Sequence, residues 1–160
     1  MIFDLARGRT VAHKLQLGLV ALATVLRVRI ALSLNRADIW RARNAALCAQ
    51  IPSGAPQDCD HHLREIAWSV GAAARLVPVA SCLTQALAGQ YLLAQRGVAS
   101  DLRLSLPVGQ GDAFRPHAWL LHEGKIVLGG SAEMLRSHEF FTPPDRSRPA
   151  EGRTLRAVSK

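Results

Sequence analysis

The chain has 160 residues, enough for one domain with a hydrophobic core, and its 49% hydrophobic but 5% aromatic content is that of an Ala- and Leu-rich globular protein. Its three cysteines are an odd and sparse set, which argues against a disulfide framework and predicts a reducing, cytoplasmic location. The net charge of +8 raises nucleic acid as a partner, but no zinc-finger or RNP-like pattern accompanies the charge, so we expect no nucleic-acid binding.

The first fifty residues are predicted to form a basic N-terminal helical segment. Helices are expected over residues 11–34 and 37–50, and residues 1–50 carry eight Lys and Arg against two acidic residues. This balance favours docking of an acidic protein or peptide, or of an anionic surface. The uncharged run from Leu15 to Leu26 resembles the apolar part of a signal peptide. It is shorter than the roughly 20 residues that span a bilayer, and the RVRIALSL that follows favours one long amphipathic or buried helix, so no transmembrane segment is expected.

The stretch IPSGAP at residues 51–56 predicts a boundary between this segment and a core domain over residues 57–142. Its prolines and glycine end the second helix, and Asp58 and Asp60 are predicted to cap a third helix over residues 61–76. The run DCDHH that begins at Asp58 looks like a metal-binding cluster, but no second ligand pair stands at a recognisable spacing. We therefore interpret it as capping acids and surface histidines, with no metal.

After Gly97 the hydrophobic pattern changes from helical to alternating. Leucines alternate with polar residues over residues 101–106, which predicts a strand with one buried face. Residues 116–122 and 125–128 flank a Glu-Gly turn and predict a β-hairpin. The tail, residues 143–160, has almost nothing to bury and is predicted to be disordered.

Cys82 is placed at the first turn of a helix predicted between Pro78 and Gly97. The N–H groups of a first helical turn and the positive end of the helix dipole stabilise a thiolate. His117 begins the predicted hairpin 35 residues later. A cysteine at a helix N-terminus with a histidine on a following strand is typical of a nucleophile and its base. The structural alternative is a small buried cysteine and a strand histidine without a chemical role.

Two motifs carry a specific resemblance: SCLTQALAGQYLLAQRGV, which contains Cys82, and HAWLLHEGKIVLGG, which begins at His117. Over roughly half of the chain, from Trp68 to Pro143, the sequence resembles the transglutaminase-like cysteine leader peptidases of lasso-peptide biosynthesis, the B2 family. The resemblance implies an α+β fold with a transglutaminase-like or papain-like core, in which helices pack on a small antiparallel sheet after an N-terminal helical segment. It also implies that Cys82 is the nucleophile and His117 the base in removing a leader peptide from a ribosomally synthesised precursor.

The same resemblance implies the partners. They are the leader peptide of the precursor, a separate leader-recognition protein of the B1 type, and an asparagine-synthetase-like lasso cyclase; no cofactor is implied. Two other classes stay open. The same cysteine and histidine can pass an acyl group to an amine, as in a transglutaminase-like acyltransferase, or the domain can be a catalytically weakened scaffold with the same fold.

The sequence departs from the family at the third catalytic position. An aspartate on the strand after the histidine normally orients the imidazole in this family. With a two-residue Glu-Gly loop, cross-strand partners have numbers that sum to 247, which predicts Gly130 opposite His117 and an acid-free Leu-Gly-Gly run, residues 128–130, at the expected position. Asp112 and Glu133 are the acids close enough in sequence to serve as third member, and a backbone carbonyl or a water is the alternative.

Overall fold

Four helices are followed by a four-stranded antiparallel sheet. The computed structural model describes residues 2–52, 56, 58–107, 116–130, 134 and 138–140. The helices are α1 (Ile2–Ser33), α2 (Ala37–Ala49), α3 (Cys59–Leu76) and α4 (Cys82–Ala94). The strands are β1 (Asp101–Pro107), β2 (His117–His122), β3 (Lys125–Leu128) and β4 (His138–Phe140), in the sheet order β3-β2-β1-β4. The predicted α+β architecture, with helices packed on a small antiparallel sheet, is confirmed.

Helix α4 is the centre of the domain. It packs against β2 and also contacts α1, α2 and α3, so it lies between the sheet and the other helices. At Gly89 there is no room for a side chain, because a Cβ would lie 2.5 Å from Cδ1 of Leu128 and 2.9 Å from Cδ2 of Leu120. The close approach of α4 to the sheet therefore depends on this glycine.

Residues from α1, α3, α4 and the sheet form one core. Its fully buried members include Ala21, Val25, Val28, Ile66, Val70, Leu87, Leu93 and Leu120. A polar contact reinforces the packing of α1 on α3, since Nε2 of His13 lies 2.9 Å from Oε1 of Glu65. By length and composition alone Val11–Ser33 is apolar enough to cross a membrane, but one side of this stretch packs into the core just described.

The capping of α3 differs from the prediction, and that of α4 was not predicted. Asp58 occupies the N-cap position of α3, but its side chain makes no capping hydrogen bond, and Asp60 lies within the first turn. At α4 the hydroxyl of Ser81 accepts a hydrogen bond from the backbone N–H of Thr84 at 3.3 Å, an interaction that the S-x-x-T spacing signals but that we did not predict. Gly97 follows the helix with φ of +70°, as expected for a glycine beyond a C-terminus.

The predicted hairpin is confirmed, with Glu123 and Gly124 as its loop. Their φ angles of +48° and +78° are those of a two-residue turn whose twist matches the flanking strands. Strand β4 was not predicted, because it has three residues and no run of alternating apolar side chains; it pairs with the end of β1 at the edge of the sheet. The predicted tail, residues 143–160, lies outside the described residues.

Candidate active site

Cys82 is the first residue of α4 and is half-buried. The turn that carries it is fixed by Ser81 and Thr84, whose hydroxyl oxygens lie 3.0 Å apart while Ser81 also caps the helix. Because the first-turn N–H groups of a helix have no partner within the helix, they are available to negative charge that develops beside them. The sulfur therefore stands where the helix end can stabilise an anion.

The ring of His117 is held through one of its two nitrogens. Its Nε2 is hydrogen-bonded to the backbone carbonyl of Gly129. A carbonyl oxygen can only accept, so Nε2 carries the proton and Nδ1 is the acceptor of the neutral ring. The backbone carbonyl, left open as an alternative from the sequence, thus performs the orientation that an aspartate performs in the resembling family.

Gly129 can supply this carbonyl because it has no side chain. Its φ is +117°, and a Cβ would lie 2.7 Å from the backbone oxygen of Ala118 and 3.0 Å from Cα of Trp119. The register of the hairpin also differs from the predicted pairing. The sum of 247 holds for the two pairs next to the turn, but the register then shifts by one, so that Leu128 pairs with Leu120 and the prediction of Gly130 opposite His117 is wrong.

Two aromatic rings surround the imidazole. The ring of Trp119 lies edge-on to that of His117 with centroids 4.6 Å apart, and the ring of His138 from β4 lies at 5.8 Å. Trp119 is fully buried and donates through Nε1 to Oγ of Ser105 at 2.6 Å. Because its own position is fixed in this way, Trp119 forms a rigid wall for the histidine. His138 belongs to the strand that the sequence did not reveal.

Cys82 and His117 lie on elements that pack against each other. Gly89, in the middle of α4, lies over Leu120 in the middle of β2, and the chain that leaves the helix returns to the far end of β2, where Ala99 contacts the last residue of the strand. The N-terminus of α4 is therefore directed toward the strand end that begins with His117. Within the described residues, no hydrogen bond joins Sγ of Cys82 to the imidazole.

Asp112 and Glu133, the two predicted candidates for the third member, lie outside the described residues. Their role stays a prediction.

A contact between a thiol and an imidazole was missed by sequence reasoning. Sγ of Cys59 lies 3.2 Å from Nε2 of His122, whose Nδ1 lies 2.6 Å from the carbonyl oxygen of Ala99. Because Nδ1 must donate to that carbonyl, Nε2 accepts the hydrogen bond from the thiol. Burial, followed by the carboxylates of Asp60 and Glu123, raises the pKa of Cys59 above its ordinary value. The thiol is thus held neutral, which suits a structural contact between α3 and the hairpin better than a nucleophile.

The two histidines of the DCDHH run have separate partners. His61 lies 3.3 Å from Glu65, and Nδ1 of His62 accepts a hydrogen bond from Arg96 at 3.1 Å. Across the part of the chain that the structure describes, no group of three or more His, Cys, Asp or Glu side chains has an arrangement that could hold a metal ion.

Helix α4 has a cysteine at its N-terminus and packs against a strand that carries an oriented histidine. This arrangement is found in enzymes that transfer acyl groups through a thiol. Residues 24–158 match the family model described as the transglutaminase-like superfamily. The chain belongs to this superfamily, which includes cysteine peptidases and acyltransferases. No curated protein and no solved structure shows a match to the chain.

Proposed function

We propose that this protein is a cysteine peptidase that removes the leader peptide from a ribosomally synthesised lasso-peptide precursor. The observation that carries the proposal is the hydrogen bond from Nε2 of His117 to Gly129, because it leaves Nδ1 as a proton acceptor on the strand end toward which the N-terminus of α4 is directed. The superfamily supports thiol-dependent acyl chemistry, and the resemblance of the two motifs to the B2 family supports the leader as substrate.

The proposed reaction has two steps. Nδ1 of His117 takes the proton of the Cys82 thiol, and the thiolate attacks the peptide carbonyl at the leader junction. The backbone N–H of Cys82 donates to the developing oxyanion, with the side chain of Gln85 as a candidate second donor. The protonated His117 then gives its proton to the departing amine, which leaves a thioester. In the second step His117 takes a proton from water, and the hydroxide so formed attacks the thioester. The sulfur of Cys82 leaves and regains the proton from His117, which restores the free thiol and the neutral imidazole.

Substrate delivery is proposed to involve other proteins. By resemblance, a separate B1-type protein binds the leader and presents the precursor, and an asparagine-synthetase-like cyclase closes the ring on the released core peptide. These steps are proposed to occur in the cytoplasm, where a free catalytic thiol stays reduced.

Mass spectrometry of the purified chain incubated with the precursor and the recognition protein tests the proposal. We expect two fragments whose masses sum to that of the precursor plus one water. Cys82→Ala should abolish their formation, because no other group in the site can form the thioester. Cys48→Ala is the matched control, since this half-buried thiol on α2 contacts the carbonyl oxygen of Ser100 at 3.7 Å and lies outside the proposed site.

The outcomes separate the alternatives. Full activity of Cys82→Ala would refute the catalytic assignment. A product in which an added amine replaces the water would instead identify an acyltransferase with the same nucleophile. A wild-type chain that binds the precursor and the recognition protein but forms neither product would identify the scaffold.

A further inference from the structure

Helix α1 has apolar side chains on the side that faces away from the core as well as on the side that faces it. Leu17, Ala21 and Val25 are buried against the other helices. Six large apolar side chains on the same helix are exposed, at 42–67% of their surface: Val11, Leu15, Leu19, Val20, Leu26 and Ile30. We call four of them, Leu15, Leu19, Leu26 and Ile30, the outer stripe.

The outer stripe is continuous. At about 100° per residue, Leu15, Leu19, Leu26 and Ile30 fall on one face, roughly opposite the buried residues, and Ala23 fills the gap between the two pairs. From Leu15 to Ile30 this face is about 22 Å long at a rise of about 1.5 Å per residue. A helix that is apolar on both faces has a second surface to bury, and monomeric soluble proteins seldom leave a patch of this kind uncovered.

The charges beside the outer stripe have one sign. From residue 11 to residue 35 the chain contains Lys14, Arg27 and Arg29 but no Asp or Glu. By the same helical spacing, Arg29 lies on one flank of the outer stripe and Arg27 on the other, whereas Lys14 lies further round the helix, about 130° from the centre of the stripe. Pairing with a second copy of α1 would bring these cations together, which is unfavourable, whereas an anionic surface complements them.

We propose that α1 docks the protein onto an anionic lipid surface, with the outer stripe inserted at the boundary between headgroups and acyl chains. The outer stripe is an exposed face of a helix, which a bilayer can accommodate by displacing lipid, whereas a protein partner would need a matching apolar groove. Apolar residues flanked by Lys and Arg are the composition of helices that lie in the plane of a membrane, and anionic headgroups add an attraction for each cation. The proposal goes beyond the proposed peptidase activity and does not depend on it.

Co-sedimentation of the full-length protein with lipid vesicles tests this docking. The protein should sediment with vesicles that contain phosphatidylglycerol, less with vesicles of phosphatidylcholine alone, and less at high salt, because the cations are screened. Leu19→Glu should lower partitioning onto the anionic vesicles by about tenfold or more, since it removes an inserted apolar side chain and adds a repelled charge. Leu76→Glu is the matched control: it changes an equally exposed leucine at the end of α3, outside the outer stripe, and should leave partitioning unchanged.

Circular dichroism of each variant first establishes that it is folded. Absence of binding to the anionic vesicles would overturn the proposal, as would an equal loss for Leu19→Glu and Leu76→Glu. A concentration-dependent dimer that Leu19→Glu dissociates, without vesicle binding, would overturn it in favour of a second copy on the outer stripe. Because Cys82→Ala leaves α1 intact, it should bind vesicles like the wild type even if the chain proves to have no peptidase activity.

Discussion

A main-chain carbonyl orients the imidazole of His117, and the residue that provides it is Gly129. Gly129→Ala should destabilise the protein by about 1–3 kcal/mol, because a Cβ would collide with the backbone of Ala118 in a conformation that side chains rarely adopt. Displacement of the carbonyl should also lower peptidase activity by on the order of a hundredfold, the effect of a small misplacement of a catalytic group. The measurement is the cleavage rate at equal concentrations of folded protein.

Gly124→Ala is the matched control for this prediction. Gly124 also has a positive φ, +78°, but a Cβ there would meet nothing within 4 Å. We expect a cost of about 1–2 kcal/mol from the backbone conformation alone and no change in the cleavage rate of the folded protein. Similar rate losses in both glycine variants would contradict the role assigned to the Gly129 carbonyl.

The raised pKa of Cys59 predicts a pH dependence of stability. Burial, together with Asp60 and Glu123, favours the neutral thiol in the folded state and so raises its pKa above the ordinary value of 9.0. The thiol therefore contributes stability below about pH 9, and this contribution is lost as the pH rises through the higher pKa of the folded state. Urea unfolding from neutral to alkaline pH should show a steeper loss of unfolding free energy in the wild type than in Cys59→Ala.

Cys48→Ala should keep the wild-type slope, because it leaves Cys59 in place. An identical slope for Cys59→Ala and the wild type would show that this thiol is not the group responsible.

At the scale of single residues, the sequence predicts the two candidate catalytic side chains but not the contacts that hold them. Cys82 and His117 stand out because each occupies a distinctive position at the start of an element. The orienting carbonyl belongs to Gly129, which follows a one-residue register shift between β2 and β3, and a shift of this kind has no signal in the pattern of apolar residues. The hydrogen bond between Cys59 and His122 joins residues 63 positions apart, and no sequence pattern indicates it.

At the scale of elements, α4 is held close to the sheet by the absence of a side chain at Gly89. Gly89→Ala should destabilise the domain by about 1–3 kcal/mol, because its Cβ would overlap the side chains of Leu120 and Leu128 and the better helix propensity of alanine offsets this only in part. Thermal unfolding measures the effect, and combination with Leu128→Val, which removes one of the overlapping methyl groups, should restore part of the loss.

Gly71→Ala in α3 is the control for Gly89. A Cβ at Gly71 would meet nothing within 4 Å, so alanine should stabilise the domain by about 0.5–1 kcal/mol through helix propensity. If both substitutions stabilise the domain, the packing of α4 on the sheet does not require the absence of a side chain at Gly89.

The prediction places most ends of helices α2, α3 and α4 and of the hairpin strands to within about two residues. Prolines, glycines and a change of hydrophobic period mark these ends. Strand β4 was not, because its three residues, two of them exposed, form a strand only through pairing with β1. The contrast follows from what each element depends on. Local signals define the first group, whereas a long-range contact defines β4.

At the scale of the whole molecule, α1 shares its core with the helices that follow it. Ala21, Val25 and Val28 have no solvent-exposed surface and belong to the same cluster as Ile66 and Leu93. A fragment of residues 57–142 should therefore fail to unfold cooperatively in urea, because its apolar surface has lost these partners.

A fragment of residues 1–142 is the comparison, and it should unfold like the full chain, because the predicted tail has little to bury. Cooperative unfolding of the 57–142 fragment would instead support the predicted division at residues 51–56.

The use of a carbonyl to orient His117 has a consequence for genetics. In an alanine scan for loss of function, an orienting aspartate would appear as a third indispensable side chain, but a carbonyl is present whatever residue stands at its position. Among the residues that the structure describes, such a scan should find Cys82 and His117 and no acidic residue that acts through the imidazole. The orienting carbonyl would be revealed only as intolerance of any side chain at Gly129, which an unguided reading of the scan would attribute to folding.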